Sequence, residues 1–423
     1  MFPAASLLTI LLLALSIAAS PVEIRDSPIT LPIARRLNTS GGTINLLQHD
    51  QCRAAALKTA SGNALGRRTG SIPVTNNAVT YIAAVGVGSP ATTYNLIVDT
   101  GSSNTWVGAT TPYKMTSTSV NTGQTVAVGY GSGYFSGTEY TDTVTLGSGL
   151  TITQQSIGVA SFSAGFPDVD GILGIGPVDL TVDTLPNSPA TTIPTVTDNL
   201  YGQGTISQNV VGVSFEPTTS QTVTNGELTF GGTDATKYTG SIAYTPITPY
   251  GSASGFWGID ESITYGTTTI LSATSGIVDT GTTLILIASD AFSTYQSATG
   301  ATLDQTINLL HITSTQYSAL KNLNFNVGSV RPFSCINASC SPFAQNTYTL
   351  TPNAQIWPRA LNTHIGGSTS FIYLVVNSIG SPSGQGLDFV NGYTFLERFY
   401  SVFDTTNARI GFATTSYTDA TTN

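Results

Sequence analysis

The chain has 423 residues, 40% of them hydrophobic, so it can bury a large core and is long enough for two packed lobes. Only 9% of the residues are charged and 43 are glycine, a composition that favours strands and turns over helices. The net charge is −9, which excludes nucleic acid as an expected partner because both molecules would be negatively charged.

The first residues predict a signal peptide. An apolar run from Leu7 to Leu15 has the length of a signal core, is too short to span a bilayer and is followed by small residues near a cleavage point. We therefore expect residues 1–19 to be removed and the protein to be secreted to the extracellular space. No other stretch is apolar for long enough to predict a membrane helix, so no membrane partner is expected.

Residues 20–68 differ from the rest of the chain because they are basic. Together with the preceding residues they carry seven basic and three acidic side chains, and they end at Arg67–Arg68, a dibasic pair typical of processing sites. A basic segment beside an acidic body predicts an electrostatic clamp between the two. We interpret residues 20–68 as a pro-segment, and an ordinary basic linker is the alternative.

From residue 81 onward, predicted strands alternate with turns. Short apolar or period-two segments predict strands at 81–88, 94–98 and 140–146. Helical segments are few, and the best candidates are residues 289–300 and 314–323. The pattern predicts an all-β protein.

One seven-residue motif occurs twice. Ile97–Ser103 recurs 180 residues later as Ile277–Thr283, with five identical positions and two exchanges of Ser for Thr. A strand entering a glycine turn, repeated at about the length of one lobe, indicates two similar halves related by a pseudo-two-fold axis.

Each copy of the motif delivers an aspartate, Asp99 or Asp279, from an apolar strand into a Thr-Gly turn. If the two halves bring these carboxylates face to face, both cannot ionise, and the pair shares one proton. The ionised member can take a proton from water while the protonated member donates to a scissile carbonyl. The pattern therefore predicts general acid–base hydrolysis with a water held between Asp99 and Asp279.

No other motif predicts a competing reaction centre. His311 and His364 lie in no catalytic triad or zinc motif, and the chain has no glycine-rich phosphate loop. We therefore expect no metal and no cofactor.

From about Ser71 onward the chain resembles the pepsin-like aspartic protease family. Asp99–Val107 matches the first active-site motif of that family and Asp279–Thr283 the second. The resemblance implies an all-β, bilobal fold with pseudo-two-fold related lobes and a flap over a deep cleft. It also implies a secreted monomeric endopeptidase, made as a zymogen inhibited by its pro-segment, that hydrolyses protein and peptide substrates at acid pH. Its lobes would span residues 69–237 and 238–423.

The resemblance assigns roles to residues around the aspartates. Residues 128–133 resemble the flap, in which Tyr130 would hydrogen-bond toward Trp106, while Gly131 and Ser132 would contact substrate. Across the axis Thr100 would bond Thr280. The residues that would support the two carboxylates are Thr100, Gly101, Ser102, Thr280, Gly281 and Thr282, with Ser102 and Thr282 each bonding the outer oxygen of its neighbouring aspartate.

Other features match the family less closely. Asp170–Gly174 matches the apolar-apolar-Gly element beneath the first loop, but its counterpart, Val390–Gly392, has a polar middle residue. For the pro-segment residue that blocks the aspartates, Lys58 is our choice and Arg53 the alternative. The remaining predicted sites are a disulfide between Cys335 and Cys340, glycosylation at Asn337, and an odd cysteine, Cys52.

Two other classes of protein fit parts of the sequence. A non-catalytic peptide-binding or inhibitor protein on the same fold would usually lack an aspartate, the flap tyrosine or a turn glycine, and all are present here. A secreted carbohydrate-binding β-protein fits the composition but leaves the paired motifs unexplained.

Overall fold

The computed structural model describes residues 28–37, 43, 45–60, 79–131, 133–147, 149–328 and 345–422. Several predicted features lie outside the described residues: the signal peptide, the Arg67–Arg68 pair, Ser132, Cys335, Asn337 and Cys340. No helix among the described residues is long and apolar enough to cross a membrane.

Thirteen strands of the described chain form one large sheet. Their bounds are β1 Ile29–Leu37, β2 Val79–Val87, β3 Thr92–Asp99, β4 Trp106–Val107, β5 Val120–Gly129, β6 Tyr134–Thr145, β7 Thr151–Ala164, β8 Gly171–Gly174, β9 Val210–Ser214, β10 Thr222–Phe230, β11 Thr239–Pro246, β22 Phe399–Asp404 and β23 Arg409–Thr414. In space the order is β11, β23, β22, β9, β10, β1, β2, β3, β8, β4, β7, β6 and β5. The sheet therefore joins strands from both ends of the chain.

The remaining described strands form two smaller sheets. The seven-stranded sheet contains β12 Gly258–Tyr265, β13 Thr268–Val278, β14 Ile285–Ile287, β17 Leu323–Val327, β18 Asn346–Leu350, β20 Val376–Ser378 and β21 Phe389–Asn391. The three-stranded sheet contains β15 Thr302–Leu303, β16 Leu310–Ile312 and β19 Ile372–Tyr373.

Helices are short and few among the described residues. The α-helices are α1 Leu46–Ala60, α2 Val196–Gly202, α3 Ser289–Thr299, α4 Ser314–Ser318 and α5 Tyr393–Leu396. Four single 3-10 segments lie at Val178–Thr181, Ser252–Gly255, Asn353–Gln355 and Arg359–Ile365. The predicted all-β, two-lobed fold is confirmed.

The predicted helices are confirmed in position, but one of them is much shorter than expected. Residues 289–300 form α3 almost to their predicted end, where Gly300 adopts a left-handed conformation and stops the helix. The second prediction, 314–323, was wrong in length because α4 ends at Ser318. After a bend, β17 begins at Leu323, which pairs with both neighbouring strands.

The first described strand, β1, lies inside the large sheet with a partner on each side. It pairs antiparallel with β10 through Ile29–Arg36 and with β2 through Ala34–Leu37. Its Arg35 is almost fully buried and forms an ion pair with Glu397 at 3.2 Å. The segment predicted as pro-segment thus supplies a paired strand and a buried charge to the folded body.

Candidate active site

Two parallel strand pairs bring the repeated motifs together. β3 lies parallel to β8, with Asp99 opposite Gly174, and β13 lies parallel to β21, with Val278 opposite Asn391. In each pair the strand that leads to the aspartate is buried and apolar over its last residues, Leu96–Val98 and Ile277–Val278. Both carboxylates consequently emerge in the interior, at the junction of the two halves.

The Asp99 carboxylate is fully buried and accepts several hydrogen bonds from its own turn. The Gly101 N–H donates to Oδ1 at 2.9 Å, and the Ser102 hydroxyl donates to Oδ2 at 2.5 Å. A β-carbon on Gly101 would lie 2.7 Å from Asp279 Oδ1, so only glycine permits the approach of the opposite carboxylate.

The second turn repeats this arrangement around Asp279. The Gly281 N–H donates to Oδ1 at 3.0 Å and the Thr282 hydroxyl donates to Oδ2 at 2.6 Å. A β-carbon on Gly281 would lie 2.7 Å from Asp99 Oδ1. The two turns therefore approach each other symmetrically, each leaving room for the other carboxylate.

Two threonines lock the turns across the axis. The Thr100 N–H donates to Thr280 Oγ1 and the Thr280 N–H donates to Thr100 Oγ1, both at 3.0 Å. The hydroxyls donate in turn to the Val278 and Val98 carbonyls, at 3.2 and 3.0 Å. Four buried hydrogen bonds thus fix the separation of the two aspartates.

A guanidinium from α1 occupies the space between the carboxylates. Arg53 Nε donates to Asp279 Oδ2 at 2.6 Å, and Nη2 donates to Asp279 Oδ1 at 2.9 Å and to Asp99 Oδ1. One planar group reaches both aspartates because its fork of donors matches two carboxylates at once. The two carboxylates are therefore close enough for a single small group to bridge them.

The two aspartates have shifted pKa values of opposite sign. Burial raises the pKa of Asp99 despite the opposing charge of Arg53, and the nearby Asp279 carboxylate raises it further. Burial acts the same way on Asp279, but the charge and hydrogen bonds of Arg53 outweigh it and leave the pKa below its usual range. The pair is electrostatically unequal, as a shared-proton pair requires.

The choice of Lys58 as the group between the aspartates was wrong. Lys58 donates instead to the Ser381 hydroxyl, and Arg53 takes the position above the carboxylates. Five residues along a helix turn a side chain by roughly 140°, so residues 53 and 58 cannot face the same point.

Sequence reasoning missed a second contact of α1. Asp50 is fully buried and accepts from the backbone N–H groups of Thr283 at 3.1 Å and Leu284 at 2.7 Å. His49 Nδ1 lies 2.9 Å from the Asp50 carboxylate. The sequence does contain one sign of this contact: Asp50 and Arg53 are three residues apart, which places both side chains on the same face of a helix.

The predicted flap is the hairpin of β5 and β6. The buried Tyr130 ring stacks near Trp106, with ring centroids 6.4 Å apart, and packs edge-on against Phe166. Burial raises the pKa of Tyr130 well above its ordinary value, and the charge of the nearby Asp99 carboxylate raises it further. Gly131 has φ 62°, and a β-carbon there would lie 2.2 Å from the Cys52 carbonyl oxygen, so the hairpin tip rests on α1.

Cys52 lies half-buried on α1 beside this contact and is unpaired within the described part of the chain. His311 stacks on Phe371 at 3.9 Å between ring centroids, in the small three-stranded sheet. No group of three or more His, Cys, Asp and Glu side chains suited to a metal occurs among the residues described.

Comparison with known proteins agrees with this geometry. The family model for eukaryotic aspartyl protease matches residues 80–415. Polyporopepsin from Irpex lacteus is 63% identical over 355 residues, covering 84% of this chain and 99% of that protein. Rhizopuspepsin from Rhizopus chinensis is 34% identical, covering 70% of this chain and 77% of that protein.

A solved structure and a more distant relative support the same family assignment. The crystal structure of an aspartic proteinase from Irpex lacteus superposes with a TM-score of 0.78 at 55% identity, covering 94% of this chain and all of that one. Pepsin A from Sus scrofa is more distant, at 29% identity over 79% of this chain and 80% of that protein. The chain belongs to the eukaryotic aspartyl protease family and is a pepsin-like aspartic endopeptidase.

Proposed function

We propose that the protein is a secreted zymogen of an acid endopeptidase in which Asp99 and Asp279 activate one water molecule. The observation that carries this proposal is the single guanidinium that bridges both buried carboxylates. A space that admits one planar group between two carboxylates also suits one water once that group has left. The sharing of one proton then gives a base for the water and an acid for the scissile carbonyl.

Residues 20–68 act in this proposal as the inhibitory pro-segment. Helix α1 lies in the cleft beneath the flap, where its residues Arg53, Ala56 and Leu57 face cleft residues that include Ser102, Tyr130 and Phe256 across a small pocket. A peptide substrate would need the same space, extended so that its backbone pairs with the flap and its side chains fill alternate pockets. The pro-segment therefore excludes substrate and holds both catalytic groups at once.

Acid releases this clamp in a definite order. Asp99, whose pKa is raised, takes up a proton first as the pH falls and loses its charge attraction to Arg53. Asp279, whose pKa is lowered, keeps its bond to Arg53 until the pH falls below its ordinary value of 3.8. The stabilisation from Asp279 is complete above that pH and is lost below it, so the proposed zymogen opens on acidification.

The wider proposal includes features outside the described residues. Residues 1–19 direct secretion, cleavage near Arg67–Arg68 separates the pro-segment, Cys335 pairs with Cys340, and Asn337 carries a glycan. The mature protein, with lobes at 69–237 and 238–423, works as a monomer.

Acidification of the purified secreted chain tests the function directly. We expect casein cleavage to begin after a lag, to be blocked by a statine-type transition-state mimic, and to coincide with a new N-terminus near residue 69 on sequencing. Absence of cleavage with the inhibitor still bound would favour the non-catalytic peptide-binding alternative.

Replacing Asp50 by asparagine is expected to speed self-processing about tenfold at a given acid pH. An amide oxygen is uncharged and leaves the Thr283 and Leu284 N–H groups more weakly bound, a loss of roughly 1.5 kcal/mol. The rate at which the full-length band disappears on a gel measures the effect. The control is Gln48→Ala, an exposed position on the same helix, and equal acceleration by both variants would contradict an anchoring role for Asp50.

A further inference from the structure

The second active-site loop rests on a polar side chain, whereas the first rests on an apolar one. In equivalent parallel pairs, Val98 lies opposite Leu173 and Val278 lies opposite Asn391. The Asn391 amide Nδ2 donates to Glu261 Oε2 at 2.9 Å, and both side chains are fully buried. The polar residue in Val390–Gly392 is thus half of a buried pair.

Asn391 also holds the second loop through its main chain. Its carbonyl accepts from the Asp279 N–H at 3.1 Å. The next residue, Gly392, lies so close beneath the loop that a β-carbon would be 2.2 Å from the Leu284 carbonyl oxygen. Any movement of Asn391 therefore moves the residue that carries the Asp279 carboxylate.

One oxygen on each side chain of the pair has no donor among the described residues. These atoms are Glu261 Oε1 and Asn391 Oδ1, and both are buried. A buried acceptor without a donor costs free energy. If Glu261 is protonated on Oε1, its O–H can donate to Asn391 Oδ1 while Oε2 accepts from Nδ2, and both oxygens are satisfied.

The surroundings of Glu261 supply no opposite charge. It lies on β12, packed by β13, β17 and the 3-10 turn Ser252–Gly255, with Asn391 of β21 against its side chain. The titratable residues on these elements or within two positions of them are Tyr250, Asp260, Tyr265, Asp279, Lys321, Asp388 and Tyr393. Lys321, the one cation in this set, lies at the far end of β12, beside Tyr265 and Gly266. Asp260 is bonded to Thr248 and Ser275, and Asp388 to Thr274 and two backbone N–H groups. Burial raises the pKa of Glu261 to about 8, opposed only by the hydrogen bond from Asn391.

We propose that Glu261 and Asn391 form an acid–amide pair that positions the Asp279 loop only while the Glu261 carboxyl holds its proton. Glu261 is then a positioning residue, and its ionisation sets an upper pH limit on the order of the second active-site loop. This inference rests on the proposed catalytic role of Asp279. Its test measures stability and hydrogen exchange and not activity, so the inference can fail while the proposed function stands.

The direction of the pH effect follows from proton binding. The folded chain keeps a proton that the unfolded chain releases above the ordinary pKa of 4.5. The stabilisation from the pair is therefore complete below pH 4.5 and declines as the pH rises toward about 8. Over that interval the folding equilibrium constant falls about tenfold for each pH unit.

The variant Glu261→Gln tests the pair because its amide can keep both hydrogen bonds without a titratable proton. In the full-length chain, urea unfolding from about pH 5 to about pH 9 should show the unfolding constant of the wild type, relative to the variant, rising about tenfold per pH unit and levelling near pH 8. A ratio that stays constant with pH would overturn the proposal.

Hydrogen exchange separates positioning of the loop from general stability. At each pH, peptides spanning residues 277–286 should exchange faster in the wild type than in Glu261→Gln, with the difference growing toward pH 8. The control is Glu139→Gln, because Glu139 is another buried acid, with its pKa raised to about 7 and its carboxylate bonded to Ser156 on a different sheet. The same change in loop exchange from both variants would contradict a specific link between Glu261 and Asp279.

A second measurement applies if Glu261→Gln does not fold. Carboxyl carbons of glutamate labelled in the wild-type chain can be titrated by NMR, with Glu139→Gln and Glu397→Gln identifying the signals of the two other buried glutamates, whose pKa values burial also raises. A remaining glutamate with a midpoint near pH 8 supports the proposal. Midpoints near the ordinary value for every glutamate other than Glu139 and Glu397 would refute it.

Discussion

Replacement of Asp279 by asparagine is expected to lower kcat/KM for peptide hydrolysis by about 10⁴-fold, the upper range for loss of acid–base catalysis. Asparagine has nearly the same shape. Its amide oxygen can still accept from the Gly281 N–H, and its NH2 group can donate to the Thr282 hydroxyl, which in the native chain donates to the other carboxylate oxygen. It cannot share a proton with Asp99, so the pair loses its base. Asp99→Asn should have a similar effect for the same reason.

The measurement must supply the processing that an inactive chain cannot perform. Each variant can be treated with immobilised wild-type enzyme at acid pH, separated from the beads, and assayed on a peptide substrate. Unchanged near-ultraviolet circular dichroism would show that the fold is intact. Asp290→Asn, an exposed carboxylate bonded to Ser383, is the matched control and should remain within about twofold of the wild type. Substantial turnover by Asp99→Asn or Asp279→Asn would contradict the two-aspartate mechanism.

Removal of Arg53 should give the second largest effect, a loss of latency. Breaking a buried ion pair costs about 3–5 kcal/mol, equivalent to a factor of roughly 10² to 4 × 10³ in the equilibrium between closed and open pro-segment. Arg53→Ala should therefore process itself faster than the wild type by that order and cleave substrate at a higher pH. The processing rate of Arg53→Lys should lie between those of the wild type and Arg53→Ala, because a single ammonium group cannot match the guanidinium fork that reaches both Asp99 and Asp279.

Lys58→Met provides the control for charge on the same helix. Lys58 contacts Ser381 and not the aspartates, so its loss should change the processing rate by little compared with Arg53→Ala. After processing, the mature enzymes from all three variants should be identical in kcat/KM, because the substituted helix is gone. A difference in the mature enzymes, or equal acceleration by Lys58→Met, would contradict the role given to Arg53.

The parts of the site that the sequence could predict are those encoded in a few consecutive residues. A strand, an aspartate, a Thr-Gly turn and a hydroxyl form one local unit around Asp99 and again around Asp279, and the structure brings the two together. The fold class followed in the same way from strand patterns and the repeat. These features depend on local geometry, so their signals survive in the sequence.

The sequence predicted a pro-segment that blocks the aspartates, but it could not predict which side chains of α1 are buried, because that surface is defined by the rest of the molecule. An ordinary amphipathic helix buries apolar residues and exposes polar ones. This helix buries His49, Asp50 and Arg53 because the cleft that receives it contains two carboxylates, which bind Arg53, and backbone N–H groups, which donate to Asp50. Choosing between Arg53 and Lys58 likewise required the helix orientation, which no short motif specifies.

The pair beneath the second loop shows a related limit. The sequence marks Asn391 as a departure from an apolar pattern but gives no sign of its partner, 130 residues away. Glu261 lies on a strand of alternating burial, where an acidic residue at a buried position is an anomaly without an evident explanation. Only the strand order places these two anomalies side by side.

The position of β1 inside the large sheet affects how well the mature protein would refold after it unfolds. A chain cut after residue 68 loses β1, which pairs with a strand on each side in the uncut chain. It also loses Arg35, whose buried charge pairs with Glu397. Once unfolded, such a chain lacks part of the template on which its largest sheet was assembled. We expect its lifetime to be governed by the height of the barrier to unfolding, with little recovery when denaturant is removed.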